Sequence, residues 1–374
     1  MKRNIVNHID EFIIHQFRGM RALKLEGLGQ FNLLVGDNNS GKTSVLEAFS
    51  LFCDSLDWRR WSNVASMREV GGIYSLSLNE RITWLFPQEH TNHDSSLANP
   101  EILLTASGSF PVKDVTAHYE SYTEIVQTRF PRAAEGESPE EREKEVEGIK
   151  IQVASSIQTS PSTNEVLNET FVFPYNRAIP PVRRPEIAVL PAQLINPSSH
   201  RLANTPSQLW TNVINAETKA DAIKLLRSFD PEIQDIDIVL GPSDRPTVSV
   251  KHKKLRRAPL STFGDGLRRI FTFAAAIPGA REGLLLVDEL ELAIHTGALE
   301  KTIGWLVKAC TQNKVQLFAT THSLEAVDAI LNAIGENIEL VVYRLHKNKN
   351  LIIVTRFDKQ LLLQLRKELG LEVR

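Results

Sequence analysis

Apolar and polar positions change their spacing several times along the chain, and the changes mark out its elements. Between Glu11 and Phe17, and again over Ala22 to Leu25, apolar residues alternate with polar ones. This is the period of half-buried strands, and Gly19 lies where a turn between them belongs. The run Phe31-Asn32-Leu33-Leu34-Val35 is nearly continuous in apolar character and stops at Gly36, as a strand buried on both faces does. After a polar loop, Val45, Leu46, Ala48, Phe49 and Leu51 recur at helical spacing.

The last third repeats this alternation of strand and helix. Strands are predicted at Gly283 to Val287, Val315 to Ala319 and Ile338 to Leu345, with helices at Ala298 to Cys310 and Leu324 to Ile334. Such an order predicts an α/β fold whose core sheet is mostly parallel, with helices on its faces. A hairpin around Lys347 to Asn350 and a helix from Asp358 to Leu369 close the chain.

The middle is more varied. Ile102 to Thr105 and Val115 to Tyr119 alternate as strands of an antiparallel layer, while Ser207 to Trp210 and Ala220 to Phe229 have helical spacing. The charged run Glu135 to Lys150 predicts a mobile surface insertion or hairpin tip. Phe173 to Pro197 is rich in proline and predicts an extended link returning to the core. The resulting division is one domain over 1–374. Its core is 1–55 with 236–345, with an inserted β and helical region at 56–235 that includes the mobile 133–150. Residues 346–374 are a C-terminal hairpin and helix. No internal repeat is present, and no heptad pattern is sustained enough for a long coiled coil.

Charge and composition exclude more than they assign. With Lys plus Arg at 43 against Asp plus Glu at 45, a net charge of -2 gives no global attraction to nucleic acid or anionic membrane. Two cysteines, Cys53 and Cys310, are too few for a disulfide framework or a structural zinc site and fit a reducing, cytoplasmic setting. No apolar stretch is long enough to span a bilayer, and charged or polar residues interrupt the N-terminus where a signal core would lie.

Candidate chemistry concentrates in four segments. Gly36-Asp37-Asn38-Asn39-Ser40-Gly41-Lys42-Thr43, followed by Ser44, satisfies GxxxxGK[ST] between a predicted strand and a predicted helix. Its glycines let successive backbone N–H groups turn inward on phosphate oxygens, with the positive end of the helix behind them. Lys42 then reaches the β and γ phosphates, and the Thr43 hydroxyl completes the shell of a Mg2+ ion. The second segment, Gly283 to Glu289, is an apolar strand delivering Asp288 and Glu289 at its C-terminal end. Adjacent strand residues face opposite ways, so Asp288 is assigned to the metal and Glu289 to the attacking water. The alternative is an acidic helix start after a strand.

Two weaker segments complete the set. Ser261 to Arg269 carries Ser261, Gly264 and Gly266 ahead of a helix, which is either an anion-binding terminus facing a partner's nucleotide or a simple turn. Thr320-Thr321-His322-Ser323 follows a strand, and His322 there is either a γ-phosphate sensor or a solvated loop histidine.

In this order the four segments resemble ABC-type ATPases, most of all the RecF/SMC-like branch with its OLD-related anti-phage members such as the ATPase of PARIS. Phe17-Arg18-Gly19 resembles that group's opening motif, DNNSGKTS its phosphate loop, LLLVDELELAIH its LLIDEPExxLH, and ATTHS its switch; the closing GLEVR is also similar. The resemblance implies ATP and Mg2+ as cofactors and ATP hydrolysis as the activity. It makes Lys42, Thr43, Asp288, Glu289 and His322 the Walker A, Walker B and switch residues. Arg18 would lie near adenine or ribose, and Ser261, Gly264 and Gly266 would act across a homodimer or larger oligomer. A separate effector protein such as a nuclease is implied, because only a hairpin and one helix follow the switch. Three departures stand out: STFGDG replaces LSGGQ, Leu290 replaces the usual proline, and a Q-loop glutamine is not evident beyond Gln88. The second reading is a DNA-binding repair ATPase, for which Lys251, His252, Lys253, Lys254, Arg256 and Arg257 form a basic cluster, alternatively a solvated loop between strands. A membrane transporter motor is disfavoured by the missing LSGGQ and the large middle insertion.

Overall fold

The computed structural model describes residues 7–68, 76–88, 101–130, 140–160, 162–174, 189–202, 205–240, 245–348 and 351–368. Its strands are β1 (Glu11–Phe17), β2 (Met20–Glu26), β3 (Phe31–Gly36), β4 (Glu101–Ser107), β5 (Val112–Phe130), β6 (Glu140–Ser160), β7 (Thr163–Phe173) and β8 (Ala192–Ile195). They continue with β9 (Ile233–Leu240), β10 (Pro246–His252), β11 (Arg256–Pro259), β12 (Leu284–Val287), β13 (Gln316–Thr320), β14 (Leu340–Asn348) and β15 (Leu351–Asp358). The helices are α1 (Lys42–Cys53), α2 (Trp58–Ser66), α3 (Leu78–Thr83), α4 (Thr205–Asn215), α5 (Lys219–Arg227), α6 (Asp265–Ala276), α7 (Thr296–Gln312), α8 (Leu324–Ala333) and α9 (Lys359–Leu363).

The core sheet runs β15-β14-β3-β13-β12-β8. Every neighbouring pair in it is parallel except β14 with β15. The fold is therefore α/β, with a mostly parallel core sheet. A second, antiparallel sheet in the order β2-β1-β4-β5-β6-β7 forms another layer, and β11-β10-β9 make a small third sheet.

Strand alternation explains how the layers stack. Phe31, Leu33, Val35, Leu285, Val287, Leu317 and Ala319 belong to the core that includes α4 to α8. Leu34, Leu284, Leu286 and Phe318 belong to the core on the other face, shared with α1 and the antiparallel sheet. Successive side chains of a strand point to opposite faces, so a sheet covered on both sides needs apolar residues at nearly every position. Helix α1 is wedged between the two sheets: the Phe49 ring stacks on Phe12 of β1 at 4.0 Å and lies 4.2 Å from Phe318 of β13. Burying a Phe contributes roughly 1.5–3 kcal/mol, so this aromatic column fixes α1, and with it the loop that precedes it.

Several expectations need correction. Residues 140–150, expected as a mobile insertion or a hairpin tip, are the first half of β6 and pair with β5 from Glu140↔Phe130 onward, as the hairpin alternative requires; 131–139 lie outside the described residues. The proline-rich stretch is not only a link. Its end forms β8, the edge strand beside β12, whose pairing completes the core sheet (175–188 lie outside the described residues). Four residues directly after Pro191 carry too little periodicity to reveal a strand, and parallel pairing to Leu284–Val287 supplies what the local pattern lacks. The GLEVR end also lies outside the described residues.

After β8 the chain turns onto the start of α6. Arg268 donates to the His200 carbonyl at 2.8 Å, and Arg201 pairs with Asp265. The His200 ring is buried, and burial together with the nearby Arg269 guanidinium lowers its pKa to about 4. The folded chain thus keeps this ring neutral where the unfolded chain, with a pKa near 6.5, would protonate it. Stability from this group is complete above pH 6.5 and is lost as pH falls toward about 4. Thermal melting followed from pH 7 to pH 4 should show that loss, and His200→Leu should flatten the curve in this window.

A second prediction separates two glycines. Gly36 has φ +131, and a Cβ there would lie 2.1 Å from the Leu345 carbonyl oxygen, whereas a Cβ at Gly304 within α7 meets nothing within 4 Å. Gly36→Ala should cost about 3 kcal/mol or more, and Gly304→Ala should stabilise by about 0.5–1 kcal/mol. Denaturant midpoints of the two variants check both signs.

Candidate nucleotide site

The loop between β3 and α1 is held in a conformation that few side chains tolerate. Gly36, Asn39 and Gly41 all have positive φ, at 131, 63 and 92. Asp37, Asn38 and Asn39 are exposed while Ser40 and Lys42 are buried. Gly41 caps α1 in the left-handed region with no side-chain cap, so no capping side chain takes the first amides of the helix. Lys42 Nζ donates to the carbonyls of Gly36 at 2.9 Å and Asp37 at 2.7 Å. Burial lowers its pKa, against the raising effect of Asp288, Asp37, Glu289 and Glu291.

The acidic strand end meets this loop. Thr43 Oγ1 donates to Asp288 Oδ2 at 2.9 Å, and Thr320 Oγ1 donates to Asp288 Oδ1 at 2.6 Å. The residues therefore come from α1, β12 and β13, three neighbours around the phosphate loop. The donor set fits Mg2+: a hydroxyl and a carboxylate are the hard oxygen ligands it takes.

Glu289 occupies the left-handed region, with φ 51. Its amide donates to Thr320 Oγ1 at 2.8 Å, and its carbonyl accepts from Arg269 Nη2 at 3.0 Å, so both sides of the strained residue are pinned. Burial, with Asp288 and Glu291 nearby, raises its pKa, while His322 and Arg269 oppose the rise. A carboxylate with raised pKa is a better proton acceptor, which is the property a general base needs. His322 thus stands within electrostatic reach of Glu289, at the end of β13.

The structure brings Lys42, Thr43, Asp288, Glu289 and His322 together, and the other expected residues make contacts of their own. The side chain of Gln88 donates to the carbonyls of Thr83 and Phe86 at the end of α3. Arg18, with φ 51, is ion-paired to buried Glu47 on α1 at 2.8 Å and donates to the Trp84 carbonyl. Ser261 lies in a single 3-10 turn, and Gly264 and Gly266 flank the start of α6, where a Cβ on Gly266 would lie 2.9 Å from the Ala293 carbonyl oxygen.

Three participants escaped sequence reading. Asn196, at the end of β8, lines a cavity of about 320 Å³ with Thr43 and Asp288. Arg68 lines it too, reaching Ser44 Oγ at 2.8 Å and both oxygens of Glu47 at 2.7 Å. Arg269 is fully buried and donates to the carbonyls of Asn196, Asp288 and Glu289. An isolated buried cation costs several kcal/mol, and those three acceptors offset it; burial still lowers its pKa, to about 10. An arginine beside Arg268, directly before the mostly apolar Ile270 to Ala276, was its only signal, and Asn196 had only an Asn-Pro step.

Three of the six residues of the basic cluster are paired with acids. His252 is buried against Asp230 at 3.2 Å, Lys254 pairs with Glu232 at 2.8 Å, and Arg257 pairs with Asp237 at 3.3 Å. Lys251 on the central strand β10, Lys253 in the turn after it and Arg256 on β11 are exposed.

Among the described residues, no helix is long and apolar enough to cross a membrane. The chain is similar to a Helicobacter pylori protein named ATP/GTP phosphatase, 22% identical over 352 residues that cover 86% of this chain and 87% of that one. An uncharacterized Methanocaldococcus jannaschii protein, MJECL11, is 34% identical over 114 residues, 30% of this chain and 98% of that one. Among solved structures it is similar to the Smc head domain with an extended coiled coil bound to the C-terminal domain of ScpA, from Pyrococcus furiosus. That likeness has 10% identity and a TM-score of 0.46, over 97% of this chain and 99% of that one. The SMC head domain from Thermotoga maritima gives 11% identity and a TM-score of 0.41, over 94% and 99%. At TM-scores below 0.5 these two stand as similarities only. A family model matches residues 31–328, well over half of the chain, and this protein belongs to the family it describes: AAA domain, putative AbiEii toxin, Type IV TA system.

Proposed function

We propose that this chain is an ATP-binding and ATP-hydrolysing switch that closes as a dimer around nucleotide and controls a separate effector protein. The observation that carries this reading is the convergence of Thr43 and Asp288 at 2.9 Å beside the buried Lys42. Amides of the loop Gly36 to Thr43 would hold the phosphates, and Lys42 would exchange its two loop carbonyls for phosphate oxygens. Thr43 and Asp288 would hold Mg2+, which supplies charge neutralisation at the β and γ phosphates. Glu289 would take a proton from the attacking water, held in position by Thr320 and Arg269. His322 would contact the γ phosphate.

Dimer closure is supported by the start of α6, where Ser261, Gly264 and Gly266 offer a helix terminus that the chain's own phosphate loop does not use. The relative named ATP/GTP phosphatase supports the hydrolytic part. The family description, with its putative toxin of a Type IV TA system, supports control of an effector, and anti-phage defence is the form of that role we favour. Pairing of His252, Lys254 and Arg257 with acids weakens the motive for duplex DNA as a partner.

Two variants test the proposal. Glu289→Gln keeps the shape of the site but removes the base, so ATP should bind and persist; light scattering should then show the mass doubling with ATP and Mg2+. A monomer under both conditions would reject the dimer. Lys42→Ala removes a charge-assisted contact worth about 1.5–3 kcal/mol, so ATP should bind roughly 10–100-fold more weakly in calorimetry. Unchanged affinity would reject the site itself.

A further inference from the structure

We propose that Glu291, two residues beyond the acidic pair, is a positioning residue that fixes the switch histidine, an assignment that rests on the ATPase reading above. Glu289, Leu290 and Glu291, beyond β12, are fastened to the last residue of β13 and the two that follow it. Glu289 N donates to Thr320 Oγ1 at 2.8 Å, and Leu290 N donates to the Thr320 carbonyl at 2.9 Å. Glu291 then accepts from both following residues: Oε1 takes the His322 amide at 2.8 Å, and Oε2 takes the Thr321 hydroxyl at 2.7 Å.

Each bond constrains something different. The Leu290 bond exists because this position is not proline, whose ring nitrogen has no hydrogen to donate. This chain therefore closes the gap between the two strand ends with a main-chain bond where the usual motif has none. Binding the His322 amide fixes the peptide plane between Thr321 and His322, and that plane sets the direction in which the His322 side chain leaves the backbone. Beyond it, Ser323 caps α8 through the Ala326 amide at 3.1 Å, so the switch turn is fixed at its far end as well. Glu291 itself is only half-buried, and hydrogen bonds to an ionised acceptor are the strong ones. The carboxylate holds the turn without touching phosphate, and it acts on turnover through His322.

Consequently Glu291 and His322 form one functional unit. Glu291→Ala frees the turn. Glu291→Gln keeps an acceptor for the His322 amide and presents an NH2 to the Thr321 hydroxyl, which can accept as well as donate.

The test uses the full chain in steady-state ATP hydrolysis with Mg2+, together with hydrogen exchange at the His322 amide. Glu291→Ala should lower kcat by about 10–100-fold, the usual loss for a supporting partner, with KM and ATP affinity nearly unchanged. Glu291→Gln should recover most of it. The double variant Glu291→Ala with His322→Ala should be no slower than His322→Ala alone, because residues acting as a unit are not additive. Multiplied losses, a change confined to KM, or a glutamine variant as slow as the alanine variant would overturn the assignment. Exchange at His322 without nucleotide should be faster in Glu291→Ala by about tenfold or more, and an unchanged rate would overturn the clamp. If the wild-type chain turns over no ATP, the function proposed above fails, while the exchange result still decides the clamp by itself.

Discussion

A single carboxylate, Asp288, ties the candidate site together. One of its oxygens receives the Thr43 hydroxyl from the start of α1, and the other receives the Thr320 hydroxyl from the end of β13. Three chain segments far apart in sequence are thereby brought to one point. The bonds are short and Asp288 is buried, so local water competes little with them. Each partner is rigid for a separate reason. β12 and β13 pair in parallel register inside the core sheet, and α1 is clamped by the Phe12, Phe49 and Phe318 rings.

Around this point the backbone is strained and the strain is contained. Gly36 and Gly41 adopt positive φ at no steric cost, but Asn39, Glu289 and Ala293 do so as ordinary residues. For Glu289 the containment is visible: Thr320 holds its amide, and Arg269 holds its carbonyl together with those of Asp288 and Asn196. Arg269 belongs to α6, the helix whose first turn carries Gly264 and Gly266. A displacement of that helix would thus be felt at the acidic pair, which gives the proposed dimer contact a mechanical route to the chemistry.

Much of this was written locally in the chain. The loop Gly36 to Thr43 is legible because phosphate binding by curled amides needs glycine at fixed spacing between a strand and a helix. Asp288 and Glu289 are legible because an apolar strand ending in acids has few other uses. Gln88 could not be placed from sequence because a glutamine in a polar stretch carries no local mark of its partners; in the structure its amide closes the end of α3. Residues 140–150 misled because charge suggests solvent, yet a strand in an extended hairpin can be charged along its length. The basic run before the signature segment overstated its charge, since the acids that pair with it sit on β9 and the loop before it, many residues away.

The sequence alone determined the elements of the core, their α/β order, the phosphate loop and the acidic pair. All of these depend on spacing within a few residues, through strand and helix period or turn chemistry. Only the tertiary structure decided that β8 completes the core sheet, that Asn196 and Arg68 face the phosphate-side cavity, that Arg269 braces the acidic pair, and that Glu291 grips the switch turn. These contacts join residues separated by tens to hundreds of positions. Hydrogen-bond geometry across such distances leaves no periodic trace in the sequence, because it exists only once the sheet has brought its strand ends side by side.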